Sequence, residues 1–288
     1  MAQKTVLITG ATSGIGLAGA EALAKKGWRV LVHARHAGRG GPVLTALRGS
    51  VPGGAFELVT GDLSSLHSVA DLARQVAARA PVLDALWNNA GGWQTERRHT
   101  VDGIELQMAV NHLAGFALTS RLLPLLKAAP AGRVVATGSG AHAFSFDRID
   151  DWFGEKPGRY RPWGVYTKSK LANVLFTQEL SRRLEGSSVT AHCFHPGWVR
   201  TGFGLDGRPE KPGLVSAAAA AFALAPEQGA DTGVFLVDDP EPLGVPGSYW
   251  VKRKPKNPAR TTPEAAELLW SQSEAVVRRV WGEPPTHP

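Results

Sequence analysis

Short apolar runs alternate along the chain with longer segments whose apolar residues recur at helical spacing. Runs of about four to eight apolar residues, rich in β-branched side chains and bounded by turn formers, read as buried strands. On that pattern strands are predicted at Lys4–Thr9, Arg29–Ala34, Ala55–Thr60, Ala85–Asn88, Arg133–Thr137, Ser188–Phe194 and Gly247–Val251. Helices are predicted at Gly14–Lys26, Val43–Leu47, Leu66–Ala78, Thr100–Leu126, Val165–Leu184, Val215–Ala225, Glu227–Asp238 and Thr262–Val280. This alternation implies an α/β architecture, a doubly wound parallel sheet with helices on both faces. Gly38–Pro42 reads as a loop, and the Pro/Lys-rich Lys252–Pro258 as an exposed connection. Pro124 lies inside an apolar helical pattern and should kink or end that helix. No internal repeat or low-complexity linker divides the chain, so residues 1–288 are expected to form a single domain.

The first strand opens into Gly10-Ala11-Thr12-Ser13-Gly14-Ile15-Gly16 and then into a helix. Glycines let a backbone approach a ligand closely. A helix amino terminus offers unpaired N–H groups and a positive dipole end to a pyrophosphate. Strand, glycine loop and helix in this order point to a Rossmann-type dinucleotide site, although the spacing is G-x-x-x-G-x-G and not the common G-x-G-x-x-G. Farther on, Tyr166 and Lys170 are four residues apart in a helical segment and so share one face. A fixed ammonium beside a phenol favours phenolate and lowers its pKa. Such a pair suits proton exchange with a substrate oxygen.

These motifs together resemble the short-chain dehydrogenase/reductase family over nearly the whole chain. Thr9-Gly10-x-x-x-Gly14-x-Gly16 is similar to its cofactor loop, and Gly61-Asp62-Leu63 to its adenine-contacting segment. Asn88-Asn89-Ala90-Gly91 matches its NNAG motif. Pro196-Gly197, followed by Val199 and Thr201, resembles the stretch that touches the nicotinamide carboxamide. The resemblance implies cofactor contacts from Gly10, Thr12, Ser13, Gly14, Ile15, Gly16, Asp62, Leu63, Asn89, Ala90, Gly91, Tyr166, Lys170, Pro196, Gly197, Val199 and Thr201. It implies a catalytic tetrad of Asn111, Ser139, Tyr166 and Lys170. Tyr166 would be the general acid or base, Lys170 would bind the nicotinamide ribose, and Ser139 would hydrogen-bond the substrate oxygen. Asn111 would hold a water linking Lys170 to solvent. The implied activity is hydride transfer between a nicotinamide cofactor and a carbonyl or alcohol. The alternative is a non-redox or regulatory protein on the same fold.

Arg35 follows the second strand, where an acidic residue would select NAD by holding the ribose hydroxyls. Between Gly27 and Glu57 there is no other acid. Arg35 can pair with a 2′-phosphate, with Arg39 assisting, so NADP(H) is expected over NAD(H). A plain surface role remains open for Arg35, as does a strand-end turn role for Asp62.

The segments Tyr166–Leu184, His195-Pro196-Gly197, Gly229–Thr232 and Gly247–Trp250 resemble the retinol-dehydrogenase-like branch. That branch implies a bulky lipophilic substrate. Nine tryptophans are an unusual number for this length. Trp93, Trp152, Trp163 and Trp198 lie in segments expected near the crevice and are candidate substrate contacts; the alternative for each is ordinary packing. The connection Gly140–Val165 is expected to form one wall of the substrate site.

The chain carries a net charge of +7 and a pI near 9.7. Its basic residues are dispersed and lack an interleaved aromatic array, which argues against nucleic-acid binding. The single cysteine, Cys193, excludes an internal disulfide and reads as a buried thiol. No metal-ligand spacing appears. No apolar run approaches the ~18 residues of a membrane span, and no signal sequence precedes the first strand. The expectation is a cytoplasmic protein with a small-molecule substrate, no membrane or nucleic-acid partner, and self-association left open.

Overall fold

The computed structural model describes residues 3–146, 150–153, 159–199 and 223–283. Among the described residues, seven parallel strands carry the fold: β1 (Thr5–Ile8), β2 (Arg29–Ala34), β3 (Phe56–Thr60), β4 (Ala85–Asn88), β5 (Gly132–Thr137), β6 (Val189–His195) and β7 (Tyr249–Val251). A short antiparallel strand, β8 (Lys254–Lys256), closes one edge. The spatial order is β3-β2-β1-β4-β5-β6-β7-β8. The direction of winding therefore reverses between β1 and β4, and ligands of open α/β sheets bind at that switch, beyond the carboxyl ends of the strands.

The strands alternate side chains between two cores, as a period of two requires. Val6, Ile8, Val30, Val32, Trp87 and Val135 face one layer, built with α1 (Gly14–Lys25), α2 (Ala37–Ser50) and α7 (Pro226–Asp238). Leu7, Leu31, Leu86 and Val134 face the other. That layer is built with α3 (Leu66–Arg79), α5 (Ala114–Lys127), α6 (Pro162–Arg183) and α8 (Pro263–Trp281). A helical turn α4 (Leu106–Met108) and a π-helical stretch (Ala109–Leu113) lead into α5. Among the described residues no helix is long and apolar enough to cross a membrane.

Several expectations need correction. Gly38–Pro42 is not a loop but the first half of α2. The glycines that lower helix propensity there also let the helix lie tight against β3: a Cβ on Gly40 would sit 2.3 Å from Leu58. Lys252–Pro258 is not a plain connection, because Lys252 and Arg253 take positive φ and turn the chain back into β8. The exposed lysines and Pro255 on this edge discourage further strand pairing. The helix expected from Thr100 starts only at Leu106 and stops at Lys127, one turn after Pro124. Helix α6 starts earlier than expected, at Pro162, whose fixed φ and missing N–H suit a first helical turn. Residues 215–222 of another expected helix lie outside the described residues.

Helices α1 and α7 approach the sheet through glycine. A Cβ on Gly19 would lie 2.4 Å, and one on Gly233 2.2 Å, from the Trp87 ring. Gly233→Val should therefore overpack this layer and destabilise the fold by about 1–3 kcal/mol. Urea unfolding measures this; a variant as stable as the wild type would show that α7 can shift without cost.

Candidate active site

The loops that leave β1, β4, β5 and β6 meet at the carboxyl edge of the sheet. Gly10, with φ +64°, passes so close to the loop after β4 that a Cβ would lie 2.9 Å from Ala90 Cα. Gly16, in the first turn of α1, would place a Cβ 2.5 Å from Asn89 Nδ2 and 2.6 Å from the Gly10 carbonyl oxygen. No side chain caps α1, and its first turn holds no acidic residue. Its leading amides therefore suit an anion. Thr12 is half-buried, Ser13 is exposed, and Ile15 packs beside Gly229 and Val199.

Thr9 and Asn89 lock this corner. Thr9 Oγ1 accepts from the backbone N–H groups of Asn89 (2.9 Å) and Ala90 (3.0 Å). Asn89 Nδ2 donates to the Thr9 carbonyl at 3.0 Å, and Thr137 Oγ1 donates to Asn89 Oδ1 at 3.3 Å. Thr137 ends β5, and its carbonyl accepts from Lys170 Nζ at 3.2 Å. Gly91 lies beside that ammonium: a Cβ there would be 3.4 Å from Nζ.

All four members of the expected tetrad gather here, Asn111 Oδ1 and Lys170 Nζ both flanking Gly91. Tyr166 and Lys170 lie one turn apart on α6, both buried. Ser139 caps the 3-10 turn Gly140–Phe144 and is hydrogen-bonded to the Tyr166 hydroxyl. The electrostatics differ from the expectation that Lys170 draws the phenol down. Burial raises Tyr166 to about 12, against the Ser139 hydrogen bond, and burial lowers Lys170 to about 8. The ammonium sits 5.8 Å from the Tyr166 ring centroid and is committed to the Thr137 carbonyl. Desolvation thus dominates both groups.

Asn111 lies in the π-helical stretch, and its side chain is already engaged. Its amide accepts from Gly92 N–H (2.8 Å) and donates to the Gly92 carbonyl (2.9 Å) and Ser169 Oγ (2.9 Å). In this structure its side chain braces the loop after β4 against α6. Asp62 Oδ1 accepts from the N–H and hydroxyl of Ser64, a turn role, and Leu63 packs in the core. Arg35 is exposed at the end of β2, just ahead of α2. Pro196, Gly197 and Val199 follow β6, Gly197 with φ +87°; Thr201 lies outside the described residues.

The four candidate tryptophans separate. Trp93, Trp163 and Tyr166 form an aromatic triad with centroids 5.7–5.8 Å apart. Trp198, after β6, is exposed by 67%. Trp152 is a correction: it is wholly buried in the core, with Lys168 over its ring and Gln272 holding its backbone N–H. Within the expected wall, Phe144 and Phe146 are exposed, Phe153 joins the core and Trp163 lies on the first turn of α6. Residues 147–149 and 154–158 lie outside the described residues.

A family model described as short chain dehydrogenase matches residues 4–150. Human retinol dehydrogenase 14 is 39% identical, the match covering 95% of this chain and 86% of that protein. The chain belongs to the short-chain dehydrogenase family. It falls on the retinol-dehydrogenase-like branch of these nicotinamide-dependent oxidoreductases. A crystal structure of an uncharacterized protein from Mycobacterium paratuberculosis superposes with a TM-score of 0.76 at 32% identity, covering 100% of this chain and 96% of that one. A short chain dehydrogenase from Burkholderia cenocepacia, solved in complex with NADP, superposes with a TM-score of 0.67 at 26% identity, covering 85% and 94%.

Histidines hold the loops together. His142 Nδ1 donates to the Ser139 carbonyl at 2.7 Å while Nε2 accepts from Ala259 N–H. His195 Nδ1 accepts from Gly140 N–H. His33, on β2, was not singled out by sequence reasoning. Its Nδ1 accepts from Gly10 N–H (3.1 Å) and its Nε2 donates to the Gly61 carbonyl (2.9 Å), so one neutral ring joins the glycine loop to the Asp62 loop. The available signal was a polar residue at an inward position of an otherwise apolar strand. Burial lowers His33 to about 4.

Because the folded pKa of His33 lies below the unfolded value of 6.5, its contribution is complete above pH 6.5 and is lost as pH falls toward 4. The loss amounts to about 3 kcal/mol. His33→Gln removes the titration and keeps a donor for Gly61. Urea unfolding between pH 7 and pH 4 should then show a smaller stability loss for the variant, and parallel curves would exclude His33 as a source of acid sensitivity.

Proposed function

We propose that the protein is an NADP(H)-preferring oxidoreductase that interconverts a carbonyl and an alcohol on a bulky, lipophilic or aromatic small molecule. The grouping of Ser139, Tyr166 and Lys170 beside a glycine cradle, under two tryptophans, carries this reading. The cradle formed by Gly10, Gly14 and Gly16 fits a pyrophosphate at the open amino terminus of α1. Arg35 and Arg39, both exposed around the start of α2, fit a 2′-phosphate, with no acid nearby in sequence to repel it. Asp62, Leu63, Asn89, Ala90 and Gly91 would line the nucleoside and ribose side, and Pro196, Gly197, Val199 and Thr201 the carboxamide side. Lys170 would hold the nicotinamide ribose. The NADP-bound Burkholderia relative supports the cofactor, and the retinol dehydrogenases support a lipophilic substrate.

The bound nicotinamide supplies or accepts the hydride. Ser139 Oγ orients the substrate oxygen, and Tyr166 gives it a proton as the carbonyl carbon gains hydride, so the C=O bond becomes CH–OH. The aromatic triad keeps water from this exchange. One buried, unpaired cysteine fits a reducing compartment, and we assign the protein to the cytoplasm.

Tyr166→Phe keeps the ring and removes only the proton. NADPH oxidation with a reducible carbonyl should fall by about 10²–10⁴-fold while cofactor binding persists. Near-normal kcat would reject Tyr166 as the proton donor.

Arg35→Asp replaces the phosphate partner by a repelling charge. The ratio of kcat/KM for NADPH to that for NADH should shift toward NADH by roughly 1.5–3 kcal/mol. An unmoved ratio would mean that Arg35 is not the selector.

A further inference from the structure

We propose that the indole N–H of Trp93 is a specificity-determining donor that meets a second acceptor on the substrate, beside the oxygen served by Tyr166. This rests on the redox reading above. The chain on both sides of Trp93 is pinned by buried side chains. Gly92 is held at its N–H and its carbonyl by Asn111. Gln94 N–H donates to Gln107 Oε1 at 3.2 Å, and its carbonyl accepts from the Tyr160 hydroxyl at 3.4 Å. Gln107 in turn donates to the Tyr160 hydroxyl at 2.7 Å. The backbone on both sides of Trp93 is thus fixed, and its ring packs between Trp163 and Tyr166, 5.8 Å from the latter.

Against this, Trp93 Nε1 is buried and finds no hydrogen-bond partner among the described residues. Other indoles of the chain find one: Trp28 donates to Asp238, Trp87 to Thr137 and Trp281 to the Leu66 carbonyl. Among the described residues Trp152 and Trp250 also lack a partner, but both lie wholly inside the cores. Trp93 differs in standing against the reacting tyrosine. A buried donor without an acceptor is unfavourable, and such a group calls for an explanation. At this position a ligand supplies the acceptor, and the deficit of the ligand-free protein becomes affinity for a substrate that can fill it.

The indole only donates. The matching group is therefore an acceptor oxygen, not an ammonium or an amide N–H. Trp93 and Trp163 also present π faces beside Tyr166, which favour a flat conjugated body. The substrate class that fits is a conjugated carbonyl compound with a second carbonyl oxygen next to the reacting one.

The test compares 1-phenyl-1,2-propanedione with propiophenone, which share a skeleton and differ by one carbonyl. Initial rates of NADPH oxidation are measured for wild type and Trp93→Phe, with NADPH affinity and the melting temperature of the ligand-free proteins. In the variant the dione-to-monoketone ratio of kcat/KM should fall about 3- to 10-fold. NADPH affinity should hold, and the melting temperature should equal or exceed that of wild type, because an unpaired donor has gone. An unchanged ratio, an equal loss on both ketones, or a variant that melts earlier or does not fold overturns the assignment. So does a wild-type enzyme that reduces other ketones but not the dione. No NADPH oxidation by wild type with any carbonyl would instead remove the redox reading itself, and this proposal with it.

Discussion

The cross-link between Thr9, Asn89 and Thr137 holds the site together. Three strands end at this point, and each would otherwise leave polar backbone groups facing a crevice. The Thr9 hydroxyl takes two N–H groups from the loop after β4, and Asn89 returns its amide to the Thr9 carbonyl. Thr137 joins both by donating to Asn89 and accepting from the Trp87 indole at 2.9 Å. The same residue offers its carbonyl to Lys170 and Asn173. The strand ends, the glycine cradle and helix α6 therefore have one common reference. A shift at any of them would move the phenol relative to the cradle, and a site that must align reacting groups is sensitive to such small displacements.

How legible this was depended on the range of the interactions. The order of strands and helices was readable because apolar periodicity is a local signal backed by burial on one face or two. The glycine loop, Ser139, Tyr166 and Lys170 stood out because the chemistry proposed for them needs fixed residue types, and the structure brings them to one edge of the sheet. Gly38–Pro42 was misread because local propensity opposes a helix there; close packing of Gly40 on Leu58 outweighs it. Trp152 was misread because a loop tryptophan near catalytic residues in sequence gives no sign of which way it points. It points into the layer under α6 and α8. Asn111 was recognised as important, but its part in fixing Gly92 depends on a π-helical stretch that no spacing rule announces. His33 was missed because its partners, Gly10 and Gly61, come from two other loops.

Burial is the common cause behind the two shifted groups. Trp93 and Trp163 pack against Tyr166, of which only 5% is exposed, and Lys170 is 4% exposed beneath the loop after β5; desolvation drives the phenol up and the ammonium down. A phenol near 12 is a weak acid for bulk water. It remains far more acidic than an aliphatic alcohol, so giving its proton to an oxygen that is becoming an alkoxide runs downhill. The reverse task, taking a proton from an alcohol at neutral pH, needs a phenolate that this environment disfavours. In the ligand-free site burial therefore favours the protonated phenol, the form that can give a proton. A positive charge brought close to the hydroxyl would bring the phenol back down. The burial that excludes water thus also favours the neutral, proton-bearing form of Tyr166.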